Sequence, residues 1–137
     1  MLAENELIRV ESNGTISFGN YLLETKAKLN NFDVAGDIYK VKTYKDITKL
    51  ECNDVFVYES VPGTVVSNFA KTEEQVSFSV TGGSGAQITL GLEPETEYEI
   101  FVNEESVGVM STNLGGKLSL SVDIVEEEAV SILINKR

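Results

Sequence analysis

Histidine and tryptophan are absent from this sequence, and its 137 residues include only one cysteine and two prolines. Without histidine, the chain has no Ser-His-Asp or Cys-His catalytic group and no imidazole to act as a general base. The single Cys52 excludes an intramolecular disulfide and any metal site built from several cysteines. Because these absences remove most hydrolase mechanisms, we expect a protein that is not an enzyme and that holds no cofactor or metal.

Positive charge is also scarce, because 11 lysines and arginines stand against 22 aspartates and glutamates, a net charge of -11. The deficit is uneven: residues 1–70 carry 7 bases and 10 acids, whereas residues 71–137 carry 4 bases and 12 acids. Such a chain repels phosphate backbones and anionic lipid headgroups, so we expect neither nucleic acid nor a membrane as its partner. Acidity of this kind also keeps a β-protein soluble and discourages its sheet edges from pairing.

Long apolar runs are missing as well. The first ten residues, "MLAENELIRV", place acids before the first base and contain no apolar stretch of signal-peptide length. No segment approaches the roughly 18 apolar residues that a membrane-spanning helix needs. For a chain that has lost no leader, the expectation is a cytoplasmic location.

What the sequence does contain is alternation of polar and apolar residues, interrupted repeatedly by turn residues. This period of two predicts β-strands with one buried and one wet face, and it places Lys40 and Lys42 on a wet face. No helical crossover separates the strands, so the fold class predicted is all-β, an antiparallel β-sandwich. The first three predicted strands, "ELIRVE", "TISF" and "YLLETKAKL", are separated by "SNG" and "GN" and predict a meander.

The segment "VPGT" at residues 61–64 joins a proline to a glycine and is the strongest break signal in the chain. It divides the sequence into a β-meander, residues 1–62, and a sandwich part, residues 63–137. The two parts are either separate units or one continuous domain. A single domain is possible because 137 residues can bury a core without disulfides.

A turn-to-strand segment, "GLEPETEYEIFVN" at residues 91–103, places Leu92, Pro94, Thr96 and Tyr98 on alternate positions. Pro94 prevents a central strand at its own position, so one strand must end near Leu92 and another must begin near Tyr98. A tyrosine at such a corner can bury its ring and bond its hydroxyl to a backbone carbonyl near residues 92–94. The four residues therefore predict a structural tyrosine corner.

These corner residues, with Ile100 and Val102, resemble the corner segment of fibronectin type III domains. The resemblance implies an immunoglobulin-like β-sandwich for the C-terminal part and implies no activity. The segment "VNEESVGVMSTNLGGKLSLSV" resembles small β-modules appended to bacterial glycan-degrading enzymes. Over the whole chain, "NGTISFGNY", "FVYESVPGT" and "TNLGGKLSLSV" are similar to a group of short bacterial proteins labelled endosialidase, and that resemblance implies a glycan hydrolase.

Three kinds of side chain are candidates for a site. Tyr44, Tyr58 and Phe101 would form a sugar-stacking platform on one exposed face, although aromatic residues of a β-protein usually pack in its core first. Asp33 and Asp37 flank "VAG" and offer either oxygen ligands for calcium or hydrogen bonds within a turn. The glutamates at 73–74 and 126–128 carry the carboxylates that glycosidases use, but such runs in loops are usually solvated.

The leading hypothesis is a non-catalytic β-sandwich that serves as an interaction or assembly module, with a protein partner or a second copy at its edge strands. The alternative is a carbohydrate-binding module, which requires a cleft or an exposed aromatic row. The third hypothesis is a glycan hydrolase of the endosialidase type. Because arginine binds carboxylate polymers best and the chain has only Arg9 and Arg137, we predict no cleavage of sialic-acid polymers.

Overall fold

The computed structural model describes residues 6–137 and contains 13 β-strands in that range. The strands are β1 Ile8–Val10, β2 Ile16–Phe18, β3 Ala27–Val34, β4 Asp37–Tyr44, β5 Ile47–Cys52, β6 Val55–Val61, β7 Val65–Lys71, β8 Gln75–Thr81, β9 Ala86–Gly91, β10 Glu97–Val102, β11 Glu105–Ser111, β12 Lys117–Val122 and β13 Val130–Lys136. Within residues 6–137 there is no helix long and apolar enough to cross a membrane.

The strands form two antiparallel sheets that pack face to face. The seven-stranded sheet has the order β1-β2-β7-β8-β13-β10-β11, and the six-stranded sheet has the order β12-β9-β6-β5-β4-β3. All strand pairs are antiparallel. In β8, β9, β12 and β13, alternate residues point into the space between the sheets, as the polar and apolar alternation of the sequence predicts. The fold is thus an all-β sandwich, and this prediction from sequence is confirmed.

An aromatic cluster occupies the centre of the core. The rings of Phe18 and Tyr58 meet edge to face with their centroids 5.3 Å apart, and Tyr58 meets Phe78 in the same way at 5.7 Å. Phe69 lies 5.8 Å from Phe18 and 5.6 Å from Phe78, which closes the ring of four. Because the four residues come from strands of both sheets, this cluster holds the two layers together.

The predicted meander at the N-terminus is wrong in its third strand. Strand β2 pairs with β1 and β7 of one sheet, whereas β3 begins only at Ala27 and pairs with β4 of the other sheet. Between them, the Asn20 side chain accepts a hydrogen bond from the Leu22 amide, and Lys45 donates its amide hydrogen to the carbonyl of Leu23. This loop bonds its backbone locally, so its apolar residues do not extend a strand.

Pro62 marks the passage of the chain from the six-stranded to the seven-stranded sheet, between β6 and β7. The Val61–Pro62 peptide bond is cis. The next residue, Gly63, lies so close to β4 that a Cβ atom there would be 2.1 Å from the carbonyl oxygen of Tyr44. The predicted boundary at residues 62 and 63 falls at this change of sheet, and strands from both sides of it occur in each sheet.

Candidate functional sites

The four predicted corner residues occupy the turn after β9 and the start of β10. Tyr98 is buried, and its hydroxyl accepts a hydrogen bond from the backbone N–H of Glu93 at 3.2 Å. The sequence predicts a carbonyl as the partner, so the polarity of this bond differs from the expectation. Thr96 donates its hydroxyl to the carbonyl of Pro94 at 2.8 Å, and Leu92 packs against the core. These contacts connect the turn after β9 with the start of β10, so the four residues have a structural role.

The predicted sugar-stacking platform is wrong, because its three rings do not share a surface. Tyr58 is fully buried in the core, where its hydroxyl bonds that of Thr64 at 2.8 Å. Tyr44 lies on the outer face of the six-stranded sheet with the Lys26 ammonium 5.8 Å from its ring centre. Phe101 lies on the seven-stranded sheet. No single ligand can stack on all three.

Sequence reasoning missed a buried network of hydroxyl groups at one corner of the sandwich. The Thr64 hydroxyl bonds those of Tyr58 and Ser60, each at 2.8 Å. Thr48 bonds the Thr43 hydroxyl at 2.8 Å and both backbone groups of Thr64. All of these residues are buried, and every buried side-chain polar atom among the described residues has a partner. The network is structural, since it leaves no group free to contact a ligand.

The two aspartates that flank "VAG" both accept hydrogen bonds, one from within their own turn and one from a neighbouring turn. Asp33 accepts the amide hydrogen of Gly36 at 3.0 Å, and Asp37 accepts a hydrogen bond from the Asn53 side chain at 3.1 Å. Across residues 6–137, no group of three or more aspartate, glutamate, cysteine or histidine side chains is placed to hold a metal ion. The turn interpretation accounts for Asp33, whereas Asp37 bonds a residue of the turn between β5 and β6.

Cys52 is half-buried and packs against the core. Burial raises the pKa of its thiol, although its hydrogen bond with Tyr39 acts in the opposite direction. Burial also raises the pKa of Tyr39 to about 12. Because the thiolate is the nucleophilic form of cysteine, a raised pKa makes Cys52 a poor nucleophile at neutral pH.

A cleft of about 400 Å³ separates the loop after β2 from the loop before β13. The residues that line it include Tyr21, Leu22, Val65, Glu126 and Glu127. Burial first, and then the charges of the two glutamates, raise the pKa of the Tyr21 phenol. The phenol therefore stays protonated at neutral pH and is not activated as a nucleophile. The sequence shows the run of glutamates but gives no sign that Tyr21 faces them.

A shallow trough of about 530 Å³ crosses the outer face of the seven-stranded sheet. The residues that line it include Ser77, Ser79, Ser131, Phe101 and Glu104. Ser79 is directly opposite Ser131 in the neighbouring strand, and Ser77 is opposite Leu133. In the described part of the chain, these three serine hydroxyls have no hydrogen-bond partner, so they are open to solvent or to a ligand.

One edge strand is exposed along its whole length. All seven residues of β11 are exposed, including Val107 at 61%, Val109 at 44% and Met110 at 38%. Strand β11 pairs with β10 on one side only, because it ends the seven-stranded sheet. Its other side presents unpaired backbone N–H and C=O groups.

The chain matches no protein-family model, no curated protein and no solved structure.

Proposed function

We propose that this protein is a non-catalytic β-sandwich module for interaction or assembly, and that it self-associates through strand β11. The observation that carries the proposal is the exposed edge of β11, which combines free backbone hydrogen-bonding groups with three exposed apolar side chains. Pairing of this edge with a second copy would satisfy the backbone groups and cover the apolar ones.

The other three sheet edges support the choice of β11. Strand β1 has only three residues and carries Arg9. Strand β3 carries Lys28 and has an irregular register near Asn31, where φ is positive. Strand β12 buries its apolar residues and exposes Lys117 and serines. Short length, lysine and irregular register all discourage edge pairing. Strand β11 has an irregularity at Gly108, but no charged residue follows its first, Glu105.

Light scattering over a range of concentrations tests the proposal. We expect an oligomer that dissociates when Val107 and Val109 are both replaced by lysine, because two charges at the contact oppose pairing. The control is Val55→Lys, which changes a similarly exposed valine, at 64%, at the first position of β6 in the other sheet. A wild-type monomer at high micromolar concentration would refute self-association, and equal effects of both changes would refute the assignment to β11.

A second candidate function, a carbohydrate-binding module, is favoured by the trough beside Phe101. An aromatic ring beside unpartnered hydroxyls suits a neutral sugar, which combines apolar ring faces with hydroxyl groups. A glycan array is the direct test, and Phe101→Ala should abolish any binding while Tyr44→Ala, on the other sheet, should not. Absence of binding to every neutral oligosaccharide on the array would remove this candidate.

The third candidate, a glycan hydrolase of the endosialidase type, has the least support. Arg9 forms ion pairs with Glu6 at 3.6 Å and Glu11 at 3.1 Å, so its guanidinium is already occupied. Incubation with polysialic acid should therefore produce no new reducing ends. Turnover that disappears on Tyr21→Phe or Glu126→Gln would establish the hydrolase and place its active site in the cleft between the two loops.

A further inference from the structure

Three lysines lie side by side across the six-stranded sheet. Lys28 of β3 is directly opposite Lys42 of β4, and Lys42 is directly opposite Lys49 of β5. The neighbouring Val41 and Thr43 of β4 point into the core, so Lys42 and its two partners lie on the outer face. We call Lys28, Lys42 and Lys49 the lysine row.

Within residues 6–137, the lysine row has no ion-paired counter-charge. Elsewhere in the described residues lysines do form ion pairs, such as Lys40 with Asp54 at 2.8 Å and Lys45 with Glu24 at 3.5 Å. In the described part of the chain, none of the three lysines of the row forms such a pair. Glu59 of β6 is opposite Lys49, but the two side chains make no ion pair. A shallow depression of about 180 Å³ lies among the row, Lys40, Asn30 and Glu51.

Like charges directly opposite one another in neighbouring strands are destabilising. The lysine row contains two such like-charge pairs, Lys28 with Lys42 and Lys42 with Lys49. The chain has 22 aspartates and glutamates, yet none stands opposite Lys42. The region is also exceptional in sequence, since 6 of the 11 basic residues lie between positions 26 and 49 with only 3 acids among them. A negatively charged ligand would offset the repulsion among the three lysines. It would bind there because the row is a cationic patch on a protein of net negative charge.

We propose that the lysine row is a binding site for a polyvalent oxyanion, a ligand with several phosphate, sulfate or carboxylate groups. Adjacent strands are about 4.8 Å apart, so the row extends for about 10 Å and matches two or three oxyanions at that spacing. Ammonium groups bind such oxygens as point charges and need no fixed angle, which suits a flexible linear ligand. The site is independent of self-association through β11, because it lies on the other sheet.

The binding test compares two triple variants with the same net charge. One is Lys28→Gln, Lys42→Gln and Lys49→Gln; the control is Lys71→Gln, Lys117→Gln and Lys136→Gln, all outside the row. The probes are inorganic tripolyphosphate and dextran sulfate, with uncharged dextran as the blank, measured by calorimetry at low ionic strength. We expect the wild type and the control to bind at least one charged probe, and the row variant to bind at least tenfold more weakly.

The two charged probes distinguish the source of the ligand. Binding of tripolyphosphate alone indicates a small multivalent anion, whereas binding of dextran sulfate alone indicates a polymer chain. Failure of the wild type to bind either probe would overturn the proposal. Equal weakening in the two triple variants would overturn it as well, because net charge and not the row would then be responsible.

A stability measurement adds an independent test of the electrostatic argument. Lys42→Glu replaces two repulsive cross-strand pairs with two attractive ones. Without ligand, the variant should therefore have a higher thermal midpoint than the wild type. It should also bind the probes more weakly. Tripolyphosphate or dextran sulfate, whichever binds, should raise the midpoint of the wild type more than that of Lys42→Glu. A lower midpoint of the variant without ligand would contradict the inferred repulsion.

Discussion

The hydroxyl network around Thr64 and the edge strand β11 differ in whether their polar groups have hydrogen-bond partners within the chain. At the network, Tyr58, Ser60 and Thr64 are completely buried, and each hydroxyl has a partner within the chain. Along β11, all seven residues are exposed and one row of backbone groups has no partner strand. The first region satisfies its hydrogen bonds within one copy, whereas the second leaves backbone groups for water or a further strand to satisfy. This difference predicts that substitutions at the network change folding and that substitutions at β11 change association.

The largest effect is expected for Thr64→Val, which keeps the shape of the side chain and removes the central hydroxyl of the network. Tyr58 and Ser60 both lose a buried partner, and each buried group left unsatisfied costs about 1–3 kcal/mol. We therefore expect the free energy of unfolding to fall by about 3 kcal/mol in urea denaturation. Thr89→Val is the control, because Thr89 bonds Ser119 at 2.9 Å on the exposed face and should change stability by less than about 0.5 kcal/mol. Similar losses in the two variants would mean that burial does not govern the cost.

Alkaline pH should weaken the same region. Burial raises the pKa of Tyr58 to about 12, outweighing its hydrogen bonds to Thr64 and Ser60. The folded state thus favours the protonated phenol, so this stabilisation is complete below about pH 10 and is lost as the pH rises towards 12. The loss amounts to about 2–3 kcal/mol.

Urea denaturation at several pH values measures this loss. Tyr58→Phe should reduce the slope of stability against pH between 10 and 12, and Tyr39, whose pKa is also raised to about 12, should preserve part of it. An unchanged slope in Tyr58→Phe would show that Tyr58 does not control the alkaline transition.

Tyr98→Phe removes a buried hydroxyl that lies outside the Thr64 network. The Tyr98 hydroxyl receives one hydrogen bond, from the partly buried N–H of Glu93. A single bond of this kind contributes about 1 kcal/mol, so the urea midpoint should fall by less than in Thr64→Val. Tyr44→Phe provides the matched control, since the Tyr44 hydroxyl has no hydrogen bond within residues 6–137. A change within experimental error in Tyr98→Phe would remove the structural role of the corner hydroxyl.

The smallest effect on folding is expected at β11. Val107→Lys should change the free energy of unfolding of the monomer by less than about 0.5 kcal/mol, because Val107 is exposed. It should nevertheless abolish any dependence of the wild-type midpoint on protein concentration, since an oligomer gains apparent stability by mass action. Thermal midpoints over a hundredfold range of concentration measure this. A large loss of stability in dilute solution would show that β11 contributes to the fold of one copy.

Local sequence signals predicted the regular parts of the fold well. The turns at Lys45–Asp46 and Asn53–Asp54 join β4, β5 and β6 as the sequence indicates, and Asn53 and Asp54 adopt the positive φ angles that these residue types tolerate. Alternation also placed Lys40 and Lys42 on the outer face. Each of these features depends on residues close together in the chain.

The failures come from contacts between distant residues. Val57 and Tyr58 are adjacent in β6 and both are buried, whereas strict alternation predicts that only one of them is. The cause is a shift of register at Leu50 and Glu51 in the pairing of β5 with β6. Leu22 and Leu23 extend an apolar pattern, yet they lie in a loop that crosses between the sheets. The cleft at Tyr21 is likewise formed by loops more than a hundred positions apart.

By itself, the sequence determined that the chain forms strands, that it is acidic, and that it has no histidine with which to perform common acid-base chemistry. Those properties follow from composition and from the period of two along the chain. Only the tertiary structure decided that β11 is left at an edge, that Phe101 lies beside a trough, and that Lys28, Lys42 and Lys49 stand opposite one another. Strand order and register bring these residues together, and both depend on how distant strands pair and how their faces pack in the core.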